Sequence, residues 1–131
     1  MASNLVLPDS NFYITSTRAG LDPFIELGNF IGTCDFVTCG MVVLEVTRGR
    51  SDPNVLRRFQ ERFAIMIYLP TTNQIWERAA QLAWSLDRQG IILPAQDILI
   101  AAHALQTDAA VLTYDAHFSS IPGLRVVDHL E

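Results

Sequence analysis

Four acidic residues, spread over most of the chain, have the side-chain type and the positions to hold a divalent cation. Asp9 and Asp115 follow short apolar runs, and Glu45 and Asp97 lie within apolar segments that are predicted to be helices. Carboxylates in one crevice repel one another, by about 4 kcal/mol for two unit charges about 4 Å apart at an effective dielectric constant of about 20. Such a cluster persists when a cation offsets the repulsion, and oxygen ligands suit Mg²⁺ or Mn²⁺. The acids therefore predict a magnesium or manganese site, whose chemistry would suit a phosphodiester.

The stretch 94–118 is the part of the chain around which the others are arranged. Pro94 suits the first turn of a helix, where its missing N–H costs little. Asp97 then lies near the positive end of the helix dipole. An almost unbroken apolar run follows, so the helix is expected to be buried. A polar pair at 107–108 breaks it, and residues 109–113 predict a short buried strand.

Strands alternate with helices along the whole chain. Apolar runs bounded by Pro, Gly or polar residues predict strands at 4–8, 35–39, 64–69, 109–113 and 124–127. Helical spacing and capping residues predict helices at 12–18, 23–31, 40–48, 53–62, 73–89 and 94–106, the first capped by Ser10 or Asn11. This alternation predicts one domain over 1–131, a Rossmann-like α/β/α sandwich with a mostly parallel central sheet of about five strands.

Topology alone brings the four acids to one edge of such a sheet. In a parallel sheet the carboxyl end of each strand and the start of the next helix share an edge, where ligands bind. Asp9 and Asp115 follow strand ends, whereas Glu45 and Asp97 lie early in helices. Asp87, near the end of its helix, is expected on the opposite edge. Taken alone, each of the four also fits a cap, a turn or a solvated helix position, but the joint pattern favours a shared site.

The charges are distributed unevenly. The 131 residues carry a net charge of −5, and all nine basic residues are Arg. Five of them lie in residues 48–62, here called the arginine-rich segment, against two acids, so this segment is +3 and the remainder −8. The net negative charge argues against a protein that coats nucleic acid in general. The segment, with Arg48, Arg57 and Arg58, is either a solvated helix face or an edge that contacts phosphate beside the acidic site.

Cysteine use favours a reducing, cytoplasmic location. Cys34 and Cys39 are the only cysteines and lie at the two ends of a predicted strand, so no disulfide is expected between them. Their spacing, without a second Cys or His pair, is a poor zinc signal. The N-terminus shows no charged and apolar leader, and no apolar run approaches the roughly 18 residues that span a bilayer.

The motifs resemble those of PIN-domain ribonucleases, and in size and motif order they are most similar to VapC-type toxins of toxin–antitoxin pairs. The resemblance rests on D-S-N after the first strand, L-E in the third helix, D-I-L-I-A-A-H-A and L-T-Y-D-A-H-F. It covers the whole chain. The last two motifs together are fairly specific, whereas the first two are weak alone.

The resemblance implies a metal-dependent endoribonuclease that hydrolyses RNA, with Asn11 and Thr113 supporting the metal pocket. The ligands that it implies for Mg²⁺ or Mn²⁺ are Asp9, Glu45, Asp97 and Asp115. It also implies a homodimer and a small antitoxin protein that covers the active-site groove. His117 stands where relatives often carry a further acid, so the resemblance does not extend to a second metal site. This His either contacts substrate or, as is favoured, is a surface residue.

Other proteins with acidic crevices fit the sequence less well. A receiver domain needs an Asp at the end of the third strand and a Lys further on, whereas this chain has Leu69-Pro70 there and no Lys. A phosphatase with an Asp nucleophile would show D-x-D after the first strand, where Asp9 is followed by Ser10 and Asn11. A catalytically inactive relative that only binds a partner is disfavoured by the retained acids.

The first two helices carry more aromatic residues than they need to cover one face of a sheet. These residues are Phe12, Tyr13, Phe24 and Phe30. They are either core or an outer surface that contacts a second copy or a partner, and exposed rings would favour the contact surface.

Overall fold

Strands and helices alternate through residues 4–131, the part of the chain that the computed structural model describes. The strands are β1 (Leu5–Pro8), β2 (Asp35–Cys39), β3 (Ile67–Leu69), β4 (Ala110–Leu112) and β5 (Val126–Val127). The helices are α1 (Ser10–Arg18), α2 (Pro23–Gly28), α3 (Gly40–Thr47), α4 (Pro53–Ala64), α5 (Asn73–Arg88) and α6 (Ala95–Thr107), with a 3₁₀ helix at Ala116–Ser120.

All five strands are parallel, in the order β3-β2-β1-β4-β5. β1 lies at the centre, with Val6 opposite Phe36 of β2 and opposite Ala110 of β4. Helices flank the sheet, so the predicted single α/β domain with a central parallel sheet is confirmed. A receiver domain has the order 2-1-3-4-5, and the observed order therefore contradicts that alternative.

Helix α6 is buried on nearly all sides, as its apolar sequence predicts. Ile100 and Ala104 belong to the main core around the sheet. Leu99 and Ala102 pack with Ala79 of α5 in a second, smaller apolar cluster. Packing on both sides fixes the helix, and with it the acid in its first turn.

The helix starts are mostly those predicted, with two corrections. Asp22, Asp52 and Thr72 cap α2, α4 and α5 through their side chains, as expected. α1 begins at Ser10 rather than at 12, and Asp9 is its N-cap residue without a capping bond from its side chain. α6 begins after Pro94, which occupies the N-cap position instead of the first turn.

Three elements are shorter in the structure than the sequence predicts: the second helix, the third strand and the fifth strand. α2 ends at Gly28, because Gly is a poor helix former. α4 continues to Ala64 and buries Phe63, so β3 begins only at Ile67. β5 likewise begins later than predicted, at Val126.

The aromatic residues of α1 are core residues. Phe12 and Tyr13 are buried, and the Tyr13 ring lies 5.5 Å from the ring of Phe24 and 5.1 Å from that of Phe63. An outer contact surface is therefore wrong for Phe12 and Tyr13, because Phe63 of α4 packs on Tyr13 and the ring of Tyr114 lies 6.2 Å from that of Phe12. Phe24 and Phe30 are half-buried.

Both cysteines are free, as expected from their positions on the strand. Within residues 4–131, no helix combines the length and the hydrophobicity that crossing a bilayer requires.

Candidate active site

Four elements deliver the predicted acids toward one edge of the sheet. Asp9 directly follows β1, and Asp115 is the N-cap residue of the 3₁₀ helix that follows β4. Asp97 lies in the first turn of α6. Glu45 lies one turn into α3, which starts where β2 ends. Strand ends and helix starts place Asp9, Asp97 and Asp115 on the carboxyl edge of the sheet. Glu45 is the sixth of the eight residues of α3, and its contact with Ser10 brings its side chain to the same edge.

Asp9 is the most deeply buried of the four, with 2% of its surface exposed. The hydroxyl of Thr113 donates to Asp9 Oδ2 at 3.0 Å and accepts from the backbone N–H of Asp115, also at 3.0 Å. Asn11 Oδ1 accepts from the backbone N–H of Tyr114 at 3.0 Å. These bonds tie the end of β1 to the loop after β4. A role for Asn11 and Thr113 in supporting catalysis stays a prediction.

Ser10 connects Asp9 to Glu45. Its Oγ lies 3.4 Å from Asp9 Oδ1 and 3.2 Å from Glu45 Oε1. A hydroxyl carries one proton, so it donates to one of the two carboxylates at a time. The sequence predicts Ser10 as a possible helix cap; its position directly after Asp9 is the signal in the sequence that its hydroxyl could also reach the site.

His117 lies between the other two acids. Its Nδ1 is 3.3 Å from Asp97 Oδ2 and 3.3 Å from Asp115 Oδ1. Its side chain is 52% exposed, so the expected surface position is observed, but at the site itself. Asp97, Asp115 and His117 each place one ligand atom within 4.8 Å of the others. In the described part of the chain, this trio is the group with metal-ligand spacing, and neither Asp9 nor Glu45 belongs to it.

Burial and mutual repulsion shift the pKa values of three of the acids. Burial raises the pKa of Asp9 to about 6; the hydrogen bond from Thr113 opposes this rise and the charge of Asp97 adds to it. Burial raises the pKa of Glu45, and the charge of Asp97 adds to that rise. Burial also raises the pKa of Asp97, where the hydrogen bond with His117 opposes the shift and Asp115 adds to it. Asp97 thus interacts with each of the other three acids, so the four share one electrostatic environment.

The donor set fits a divalent cation. Among the described residues, no Arg lies within ion-pair distance of the four carboxylates; their only ion-pair partner is His117. Carboxylate oxygens suit Mg²⁺ and Mn²⁺, and an imidazole nitrogen suits first-row transition ions. No arginine of the described residues therefore neutralises these carboxylates through an ion pair, and their remaining charge is available to a cation.

The three predicted RNA-contacting arginines have different surroundings. Arg58 forms an ion pair with Asp22, the N-cap residue of α2. Asp22 lies beyond the far end of α1, whose nine residues extend about 13 Å from the site. Arg48 ends α3, and its charge opposes the rise in the pKa of Glu45. Arg57 is exposed. RNA contact by these residues stays a prediction, and contact by Arg58 would require its exposed ion pair to open.

A family model described as "PIN domain" matches residues 7–124, which is most of the chain. No curated protein matches the sequence significantly.

Several solved structures share the fold. A chain of VapBC2 from Rickettsia felis, bound to a DNA fragment from its promoter, has a TM-score of 0.79 at 18% identity, covering 94% of this chain and 97% of that chain. A chain of DNA-bound VapBC from Salmonella typhimurium has a TM-score of 0.79 at 22% identity, covering 97% and 98%. VapC20 from Mycobacterium tuberculosis, a toxin that cleaves the sarcin–ricin loop, has a TM-score of 0.66 at 14% identity, covering 89% and 95%.

Proposed function

This chain belongs to the PIN-domain family, and from that membership we propose that it is a metal-dependent endoribonuclease that hydrolyses RNA phosphodiester bonds. The observation that carries the proposal is the placing of four carboxylates at one edge of the sheet, where Ser10 contacts both Asp9 and Glu45 and where Asp97 and Asp115 flank His117. Such a cluster suits a divalent counter-ion and a reaction on a phosphate ester.

The proposed ligands of Mg²⁺ or Mn²⁺ are Asp9, Glu45, Asp97 and Asp115. When bound, such an ion lowers the pKa of a water molecule and offsets the charge that develops on the phosphodiester. Thr113 and Ser10 hold Asp9 and Glu45 in place before any ligand arrives. Asn11 holds the loop that leads to Asp115. Preorganised ligands of this kind need little rearrangement on binding, which favours catalysis.

Cleavage of RNA by the purified protein tests the proposal. A labelled single-stranded RNA should be cut in the presence of Mn²⁺ or Mg²⁺ and remain intact in a chelator, whereas DNA of the same sequence should remain intact in both. Cleavage that continues undiminished in the chelator would contradict metal dependence. RNA that stays intact with either metal would favour the alternative of an inactive, partner-binding relative.

We infer that the arginine-rich segment contributes phosphate contacts, with Arg57 as its cleanest probe because it is exposed and has no role in the Asp22 ion pair. Arg57→Glu should weaken RNA binding and lower the slope of log affinity against log salt by about one, since about one counterion fewer is released. Fluorescence anisotropy in a chelator, where RNA stays intact, measures both. Arg78→Glu, at an exposed residue of α5 that bonds Gln106 of α6, is the matched control and should keep the parent's slope. An unchanged slope in Arg57→Glu would count against the segment.

The biological role that we propose is the toxin of a type II toxin–antitoxin pair, with a small antitoxin protein covering the active-site groove. The motif resemblance and the fold shared with chains of VapBC complexes support this role. A short reading frame directly upstream of the gene, whose product co-purifies with this chain, is expected. A lone gene whose expression does not slow growth would contradict it.

A homodimer is proposed as the second assembly. Trp76 and Trp84 are 54% and 57% exposed and lie two turns apart on one face of α5, where large aromatic side chains suit an interface. Sedimentation at micromolar concentration should show a dimer, and Trp84→Glu should yield a monomer. Ile65→Glu, at another exposed apolar residue, should stay dimeric. A parent protein that sediments as a monomer at every concentration would rule out the dimer.

A further inference from the structure

We infer that His117 is itself a metal ligand, through Nδ1, so that the centre has a mixed nitrogen and oxygen donor set and favours Mn²⁺ over Mg²⁺. This inference rests on the proposed function and adds a donor that the four acids alone do not supply. It follows from the place of the imidazole, between Asp97 and Asp115, rather than from the acids themselves.

The spacing of the trio matches that of ligands around one ion. With bonds of about 2.1 Å in octahedral geometry, adjacent ligand atoms are about 3 Å apart and opposite ones about 4.2 Å apart. Nδ1 of His117 lies 3.3 Å from an oxygen of each acid, and the three ligand atoms all lie within 4.8 Å of one another. The backbone N–H of His117 also donates to Asp115 Oδ1 at 2.9 Å, which fixes the start of the 3₁₀ helix. The trio therefore needs only small movements to surround an ion.

The nitrogen donor changes which ion the site prefers. Mg²⁺ binds carboxylate, carbonyl and water oxygens, whereas imidazole suits first-row transition ions. An imidazole nitrogen must carry no proton to bind a metal ion. Nδ1 therefore releases its proton to the solvent when the ion binds. The competing role for His117 is a protonated counter-ion that holds the two carboxylates together, and it would produce the same contacts. Only the behaviour of the bound ion separates the two roles.

The chain offers a matched control histidine. His129 is exposed and contacts Asp128 near the C-terminus, at 2.7 Å from Nδ1 to Oδ1. His103 is buried in α6 with Nε2 2.9 Å from Thr71 Oγ1. Neither belongs to the metal-spaced trio. If a nitrogen signal were lost in His129→Gln, that signal would come from a histidine outside the site.

Pulsed electron paramagnetic resonance on the Mn²⁺-loaded protein tests the inference. Modulation from a coupled ¹⁴N nucleus is expected in the parent and in His129→Gln, and it should vanish in His117→Gln. Loss of even an indirect partner of a metal typically costs 10–100-fold in affinity, so His117→Gln should bind Mn²⁺ at least about tenfold more weakly. Its Mg²⁺ affinity should change much less. In His117→Asp, the ratio of Mn²⁺ to Mg²⁺ affinity should fall by about tenfold.

Each other outcome has a definite meaning. A Mn²⁺-loaded parent without nitrogen coupling, or a coupling that persists in His117→Gln, overturns the inference and leaves the proposed function standing. Equal loss of Mn²⁺ and Mg²⁺ affinity in His117→Gln overturns it too, in favour of a role that only positions the acids. An equal gain overturns it in favour of the counter-ion, whose removal takes a positive charge away from the carboxylates. A parent that binds neither ion overturns the proposed function and the inference together. Urea unfolding of both His117 variants excludes misfolding, and His117→Asp keeps the selectivity test available if His117→Gln is unstable.

Discussion

Asp97→Asn is expected to slow RNA cleavage by at least about 10²-fold while leaving the fold intact. The charge of Asp97 adds to the rise in the pKa of Asp9 and of Glu45, and its carboxylate shares His117 with Asp115, so this substitution removes the central charge of the proposed metal site. A bound metal ion supplies several kcal/mol of transition-state stabilisation, and each 1.4 kcal/mol or so is tenfold in rate. Single-turnover cleavage of labelled RNA at saturating Mn²⁺ measures the loss.

The same variant separates a shared pocket from four unrelated acids. Because burial and the charge of Asp115 disfavour the ionised form of Asp97, metal-free Asp97→Asn should be as stable as the parent, or more stable by about 1–2 kcal/mol once the repulsion is discounted for solvent screening. Added Mn²⁺ should raise its melting temperature less than that of the parent, since ligand binding stabilises by mass action. Asp87→Asn, at an exposed acid near the end of α5, should respond as the parent does. A destabilised Asp97→Asn with an unchanged metal response would contradict the shared pocket.

Asp9→Asn is expected to stabilise the metal-free protein at pH 7, by about 1–3 kcal/mol. Burial raises the pKa of Asp9 from 3.8 to about 6, and each pKa unit corresponds to about 1.4 kcal/mol. Asn keeps an oxygen that can accept the hydrogen bond from Thr113. It removes the buried charge without leaving a cavity.

The sign of the pH dependence follows from proton uptake. Between about pH 4 and pH 6 the folded chain holds the Asp9 proton more tightly than the unfolded chain does, so the parent loses stability as the pH rises through this window. Below it both states are protonated, and the advantage of Asp9→Asn should disappear. Urea unfolding in a chelator at pH 4, 5, 6 and 7 measures the slope, which should be shallower in the variant. A variant less stable than the parent at pH 7 would mean that Asp9 contributes structural bonds that outweigh its buried charge.

The positions of the acids could be predicted because they depend on chain order alone. A strand that ends before Asp9, and a helix that begins before Asp97, set the edge on which each side chain lies, whatever the packing. The apolar sequence of α6 predicted its burial for a similar reason, since apolar residues all around a helix exclude a solvent-facing side. Fold class and acidic edge are therefore local properties of the sequence.

Contacts between side chains on different elements could not be predicted in the same way. Ser10 reaches Glu45 only because α1 and α3 lie side by side, and Arg58 meets Asp22 only because α4 lies near the start of α2. The sequence allows Tyr13 either a core or a surface position, and only the packing of Phe63 of α4 against its ring decides between them. These pairings depend on the three-dimensional arrangement of elements, about which hydrophobic periodicity carries no information.

The pairing of β1 with β4 has a consequence for the synthesis of the chain. The bond from Thr113 to Asp9 joins residues 104 positions apart, and contacts of such separation form late in folding. A nascent chain still growing on the ribosome holds Asp9 and Glu45 long before Asp97 and Asp115 have been added. Any fragment that stops before residue 115 of the 131 lacks part of the acidic edge. For a chain proposed to cut RNA, the proposed active site thus stays incomplete until residue 115 has been added and the segment that holds it has folded against β1.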